Sequence, residues 1–447
     1  MLEKRPLRKL HATLLVAAPL IMTLLLTTSA LAGGGEKVLY TFCTVGNCTD
    51  GYFPVANLIF DTAGNLYGTT SGGGDYGYGT VFQLVAGANG TWTEKVLHSF
   101  KLGGRDGLQP EAGLVFDASG SLYGTTVIGG AHDGGTVFKL TPQTNGNWKE
   151  EVLHNFKEEG KDGSGPLAGL IFDADGSLYG TTVGGGAHNV GTVFRLTPQT
   201  NGNWKEEVLL SFNPDGADGY YPYAGLIFDA SGSLYGTTAG TLDGGCGEHQ
   251  HHCGTVFKLM PGANGNWSET VLHTFTSGGD GNHPTAGLTF DAAGNLYGTT
   301  SQGGAYNVGT AFQLTPGSNG TWTETVLYSF CSASGCTDGG YPSGLVLDSA
   351  GNLYGTTRFG GAYQNADYCP SGCGTTFELK PGTSGTWTEK VLHSFTVYTK
   401  DGYLPVAGLT LDAEENLYGT TYYGGESEAP SCDGHGIGCG IVFEIRP

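Results

Sequence analysis

From residue 36 to residue 447 the chain consists of short runs of alternating apolar and polar positions, separated by glycine, asparagine and aspartate. One stretch shows the pattern. An apolar run at 112–117 ends at Ala118-Ser119-Gly120, and a second run follows at 121–126. After a glycine-rich loop come a third run at 136–140, the turn Asn145-Gly146-Asn147-Trp148, and a fourth run at 151–156. Short runs rich in β-branched and aromatic residues, bounded by turn residues, predict strands. They are called A, B, C and D here. The A–B connection, Asp-Ala-Ser-Gly, suits a type I turn with glycine in the left-handed position. Asn-Gly-x-Trp between C and D is a second hairpin signal.

The same four-run unit occurs seven times. Its centre, Leu-Tyr-Gly-Thr-Thr, places tyrosines at 67, 123, 179, 235, 297, 354 and 418, spaced by 56, 56, 56, 62, 57 and 64 residues. Seven units of four antiparallel strands predict a seven-bladed β-propeller, with strand A innermost and strand D outermost. The ends fit together: 36–42 is a D strand with no A, B or C before it, and 441–445 is a C strand with no D after it. Pairing the two closes the ring and removes free sheet edges. The glycine inside every B strand (Gly68, Gly124, Gly180 and equivalents) is expected to allow close backbone approach near the axis. All six tryptophans stand at the C–D turn, which predicts packing between units. In the seventh unit Glu415 replaces the A–B turn glycine, and a strained or reshaped turn is expected there.

Composition adds compartment and charge. Eighty glycines without a Gly-X-Y period exclude collagen, and the alternating runs exclude disorder. Lys4, Arg5, Arg8 and Lys9 precede an apolar stretch at 12–28, and Ala30-Leu31-Ala32 reads as a cleavage site. Residues 1–32 are thus expected to be a signal peptide, with an uncleaved membrane anchor as the alternative, and 33–447 a single propeller domain. Its removal leaves 16 basic and 40 acidic residues, a net charge of −24, which disfavours nucleic acid as a partner. No later run is long enough to span a membrane. Ten cysteines form five local pairs, Cys43/Cys48, Cys246/Cys253, Cys331/Cys336, Cys369/Cys373 and Cys432/Cys439. In an exported chain these read as disulfides, so a secreted, extracellular or periplasmic location is expected.

The Asp-x-x-Gly-Asn/Ser-Leu-Tyr-Gly-Thr-Thr core, followed by Gly-Gly and Gly-Thr-Val-Phe, resembles the tandem GloVer (Gloeobacter–Verrucomicrobia) repeat of secreted bacterial proteins. The resemblance covers nearly all of residues 36–447. It implies an extracellular location and carries no established activity.

Candidate chemistry lies in the D–A and B–C loops, which share one face of a propeller and hold the insertions and all five cysteine pairs. Long variable loops on a rigid scaffold are where binding resides. Tyrosines cluster in these loops, Tyr223 and Tyr423 among them, and exposed tyrosines suit sugar rings. The expected ligand residues are Tyr76, Tyr78, Tyr220, Tyr221, Tyr306, Tyr341, Tyr363, Tyr403 and Tyr422, the alternative being that several pack their own glycine-rich loops. Arg358 joins them because it breaks the repeat where Ser71, Val127, Val183, Ala239 or Ser301 stands. Asp50, Asp106, Asp162, Asp218, Asp280, Asp338 and Asp401 recur in Asp-Gly-x-x-Pro. They read as turn caps, with a cation-binding ring as the alternative. His249, His251 and His252 lie between Cys246 and Cys253 and read as solvated side chains of a disulfide-closed loop, with zinc ligation as the alternative, since their spacing matches no standard finger. The strand-D histidines His98, His154, His273 and His393 read as packing residues, because Tyr40, Leu210 and Tyr328 replace them elsewhere. Asp173-Ala174-Asp175-Gly176 reads as a hairpin, not a calcium loop. No catalytic constellation emerges and no cofactor is expected, a structural cation aside. The sequence points to an exported monomeric binding or surface-interaction module for an extracellular glycan or surface protein. A polysaccharide hydrolase or lyase, and a purely structural envelope protein, are the alternatives.

Overall fold

Each predicted unit folds into one sheet, because alternation places every second side chain on the same face. The structure, a computed structural model, describes residues 35–157, 160–214, 218–240, 253–276, 278–398, 400–425 and 438–447. The expected signal peptide, Cys246, Cys432, His249, His251 and His252 lie outside these residues. Blade 1 contains Ile59–Phe60, Leu66–Thr70, Thr80–Ala86 and Trp92–Ser99, antiparallel in the order A-B-C-D. Five further blades repeat that order. In blade 7, Thr410–Leu411, Leu417–Thr421 and Ile441–Ile445 are completed by the N-terminal strand Glu36–Thr41. Glu36 faces Ile445 and Thr41 faces Ile441. The seven blades form a β-propeller closed by its own N-terminal strand, with strand A of every blade lining the axis.

The core lies in the seams between neighbouring sheets. The phenylalanine that follows strand D meets the strand-C phenylalanine of the next blade edge-to-face, as in Phe42–Phe82, Phe100–Phe138, Phe156–Phe194 and Phe395–Phe443, with ring centroids 5.0–5.2 Å apart. Both rings are fully buried, each worth roughly 2–3 kcal/mol of transfer free energy. Five of the tryptophans pack on the central tyrosine of the preceding blade, from Trp148 on Tyr67 to Trp387 on Tyr297. The first threonine of each Thr-Thr pair donates to a strand-A carbonyl of the next blade. The bond from Thr69 to Ala112 O is 3.1 Å, and the ring-closing bond from Thr420 to Ala56 O is 3.4 Å.

The strand-B glycines have a different cause from the expected one. A Cβ on Gly180 would lie 2.6 Å from Phe194 Cζ and 2.9 Å from Leu170 Cδ2. The glycine makes room for side chains of its own blade, not for backbone at the axis. The glycines that approach the axis belong to strand A: a Cβ on Gly169 would lie 3.2 Å from Gly113 O of the neighbouring blade.

The A–B turn is fastened by its aspartate. Asp61 accepts from the amides of Ala63 and Asn65 at 2.9 Å and from Tyr67 Oη at 3.1 Å. Burial opposes ionisation of Asp61, but these hydrogen bonds outweigh it and hold the carboxyl below its usual range. Glu415 keeps the standard turn at φ 64°, and its carboxylate accepts from Ser349 Oγ of blade 6 at 2.6 Å. The turn is therefore strained and not reshaped.

Candidate functional site

A channel of about 1130 Å³ runs along the axis, walled by strand A of all seven blades. Glycine occupies one level of the wall in six blades, and Asn57 replaces it in blade 1. Toward the A–B turns the lining is apolar, including Ile59, Ile171, Ile227 and Leu411. At the D–A and B–C loops it is polar and aromatic, with Glu111, Tyr223, Gln302, Tyr341, Arg358 and Phe359. Glu111 and Arg358 are the charged residues among the described residues of the lining.

The loop mouth is held in an unusual backbone conformation. The residue before the D–A proline has positive φ in all seven loops: Phe53, Gln109, Gly165, Tyr221, His283, Tyr341 and Leu404, at 54–63°. Proline disfavours the right-handed helical region for its predecessor, and a left-handed non-glycine residue costs roughly 1–2 kcal/mol. The compensation is a latch. Each of these amides donates to a B–C loop carbonyl of the preceding blade, as Phe53 does to Cys439 O at 2.9 Å and Tyr341 to Val308 O at 2.7 Å. Glycine beside each latch (Gly79, Gly135 and equivalents) leaves room for the next blade's proline ring, since a Cβ on Gly79 would lie 2.5 Å from Pro110 Cδ. Strain is tolerated where the surroundings overdetermine it, and such positions gather at working surfaces.

Among the described residues, the seam between blade 7 and blade 1 carries a dense aromatic group on the loop face. Phe53 and Tyr422 stack with centroids 4.5 Å apart and planes 11° from parallel. Tyr423 meets both edge-on, and the buried Tyr403 stacks beneath Tyr423 at 5.2 Å. Tyr52, Phe53, Tyr422 and Tyr423 remain half-buried, so their rings are partly open to solvent. Burial raises the Tyr422 phenol, Tyr423 and Glu111 raise it further, and Arg358 pulls it back. Residues from blades 2, 6 and 7 thus act on one phenol. Burial also raises the Glu111 carboxyl. Arg358 is exposed, with its guanidinium carbon 5.2 Å from the centre of the Phe359 ring, and Tyr341 packs edge-on against that ring at 5.2 Å. Blade 6 also has a shorter rim. Ser343 accepts the bond that Ala112 accepts in blade 2, so the rim position of Glu111 has no counterpart there.

The tyrosines expected to bind ligand fall into three groups. Tyr223, Tyr341 and Arg358 line the channel mouth, while Tyr422 and Tyr423 lie with Phe53 on the seam between blades 7 and 1, outside the lining itself. Tyr220 and Tyr403 are buried supports, while Tyr78 and Tyr221 pack against seam clusters. Tyr76, Tyr306 and Tyr363 are exposed on separate B–C loops and do not line the channel. Sequence reasoning missed Glu111 and Phe53. The available signal was a glutamate after the proline in one copy of seven, and a phenylalanine before it in another.

The loop aspartates cap their own turns. Asp50 accepts from the Thr44 amide at 2.9 Å, Asp218 from Asn213 at 3.0 Å and Asp338 from Ser332 at 2.7 Å. The strand-D histidines do more than pack. Each lies edge-on to the phenylalanine two residues on, and each also brings Nε2 to within 3.0–3.4 Å of a loop aspartate. Tyr40 and Tyr328 make the corresponding bond through Oη. The pairs Cys43–Cys48, Cys331–Cys336 and Cys369–Cys373 are disulfides on the loop face. Cys253 and Cys439 are also disulfide-bonded. Cys43, Cys48 and Cys439 are therefore unavailable as metal ligands, and Glu36, His393 and Asp401 form the other described group close enough to share an ion.

Fold and mouth together define an all-β, seven-bladed propeller with an aromatic-rimmed axial channel. The chain belongs to the Gloeobacter/Verrucomicrobia repeat family, whose sequence profile matches residues 27–250 and 241–447. No curated protein matches the chain. Among solved structures it is similar to the Kuenenia stuttgartiensis hydrazine synthase, at 14% identity and TM-score 0.52, over 83% of this chain and 94% of that one. It is also similar to a luciferin-regenerating enzyme, at 15% identity and TM-score 0.43, over 76% of this chain and 91% of that one. Likeness at this level of identity concerns the fold alone.

Proposed function

We propose that the protein is an exported binding module that receives an extracellular glycan at the loop-face mouth of its axial channel. The observation that carries this reading is the stacked, half-buried Phe53–Tyr422 pair beside Glu111 and Arg358. A sugar ring presents an apolar face to an aromatic plane, while its hydroxyls need polar partners at the edge. The mouth supplies both, on a backbone held rigid by seven latches. Binding is favoured over hydrolysis because the usual glycosidase mechanism needs two carboxyl groups flanking the scissile bond. Glu111 is the one carboxyl among the described lining residues. Three loop disulfides fit an extracellular or periplasmic location, and among the described residues no helix is long and apolar enough to cross a membrane. The module acts as a monomer, ring closure leaving only the short edges of each blade unpaired.

Calorimetric titration of glycan fragments into the protein from Gly33 tests the site. Tyr422→Ala and Arg358→Ala should each weaken binding by about tenfold or more, corresponding to 1–3 kcal/mol for a lost aromatic or charged contact. Tyr306→Ala, on a separate exposed loop, should leave affinity unchanged. Equal losses for all three variants, or a loss only for Tyr306→Ala, would place the ligand elsewhere.

A further inference from the structure

The outer rim of every seam holds two carboxyl groups, one from strand D and one from the D–A loop. A strand-D glutamate faces the D–A loop aspartate that follows the preceding strand D. Glu94 faces Asp50, Glu150 faces Asp106, Glu206 faces Asp162, and Glu36 faces Asp401. In all seven glutamates (Glu36, Glu94, Glu150, Glu206, Glu269, Glu324 and Glu389) Oε1 is shut off from solvent and has no hydrogen-bond partner. Asp50 and Asp338 are only 2% and 3% exposed, and each also leaves Oδ1 buried and unpartnered. Buried polar atoms are almost always satisfied. Each seam thus keeps one carboxyl oxygen that either a proton or a bound cation would complete.

One seam brings a complete ligand set together. Glu36 on the closing N-terminal strand, His393 on strand D of blade 6 and Asp401 on the following loop place one ligand atom each within 4.8 Å of the others. His393 Nε2 is 3.0 Å from Asp401 Oδ2, a hydrogen-bond distance that a shared ion would open slightly. Two carboxylate oxygens and an imidazole nitrogen match a zinc-type site with a fourth position for water, at about 2.0–2.2 Å per bond.

We propose that Glu36, His393 and Asp401 bind a divalent transition-metal ion, Zn²⁺ being the natural test case, which clasps the N-terminal strand of blade 7 to blade 6. Its three ligands come from the two ends of the ring, so the ion ties the closing strand to the body of the propeller. Anything that binds the closed state and not the open one raises the melting temperature in proportion to its occupancy. The aspartate keeps its role as a turn cap and uses a second lone pair for the metal.

The test uses the protein from Gly33, freed of metal with chelator, then titrated with Zn²⁺ by calorimetry and followed by thermal melting. The expected result is a tight site of about one equivalent and a rise in melting temperature, both reversed by chelator. Glu36→Gln and His393→Tyr should each weaken that site by at least about tenfold and abolish the thermal shift. His393→Tyr keeps the fold testable, because tyrosine stands at this position as Tyr40 and Tyr328 in two other seams. His188→Gln, a surface histidine, should change neither readout. Zinc binding that survives both ligand variants, or a melting temperature indifferent to Zn²⁺ and chelator, would overturn the proposal.

Discussion

At the residue scale the structure separates two uses of glycine that the sequence presents alike. Gly180 lies under the Phe194 ring, whereas Gly169 lies against the neighbouring strand at the axis. Gly180→Ala should therefore overpack the blade interior. The expected cost is about 1–3 kcal/mol, read as a lowered midpoint in chemical denaturation. An unchanged midpoint would mean that the ring moves aside freely. The repeated residues were legible because recurrence reports their environment: the tryptophans pack between blades and the loop aspartates cap their turns, as their periodicity predicts. Glu111 was not legible, because a residue found in one copy of seven carries no periodic signal. Its nearness to Arg358 and Tyr422 exists only once blades 2, 6 and 7 converge on the axis.

Strands and loops carry a second lesson. Strand existence, order and the closing strand followed from alternation and from the unmatched runs at the chain ends. The loops did not, since their shape depends on latches between different blades. The amide of Phe53, for example, bonds to Cys439, at the opposite end of the chain. Tyr220 and Tyr403 therefore read as exposed ligand residues although both are buried. Closure makes a prediction at this scale. Removing 36–42 deletes the outer strand of blade 7 and the Phe42–Phe82 seam contact. The truncated protein should melt at a markedly lower temperature and bind a dye for exposed apolar surface. An unchanged melt would show that the ring does not depend on this strand.

Across the whole molecule, the seam carboxyls set how stability varies with pH. Burial first, and then the facing aspartate or other nearby charges, raise Glu94 and Glu269 to about 8 and Glu150, Glu206, Glu324 and Glu389 to about 7. A raised carboxyl holds its proton longer in the folded state than in the unfolded one. Its contribution is complete below the ordinary glutamate range and is lost as pH rises through 7–8. The turn aspartates Asp61, Asp117, Asp291 and Asp348 are lowered and act oppositely, losing their contribution as pH falls below the ordinary aspartate range. In chelator, the melting temperature should peak near pH 4–5 and decline toward pH 8. A flat profile, or one rising over that interval, would show that the seam glutamates are ionised and balanced by other means.

The proposed function belongs to this scale too: among the described residues, the closed ring carries an aromatic and charged channel mouth on its loop face. Incubation of the protein from Gly33 with a panel of polysaccharides tests this most directly, with retained protein read by pull-down and soluble products by mass spectrometry. Selective retention on particular glycans, lost in Tyr422→Ala and without released oligosaccharides, is the predicted result. Retention on none of them, or release of oligosaccharide products, would contradict the account.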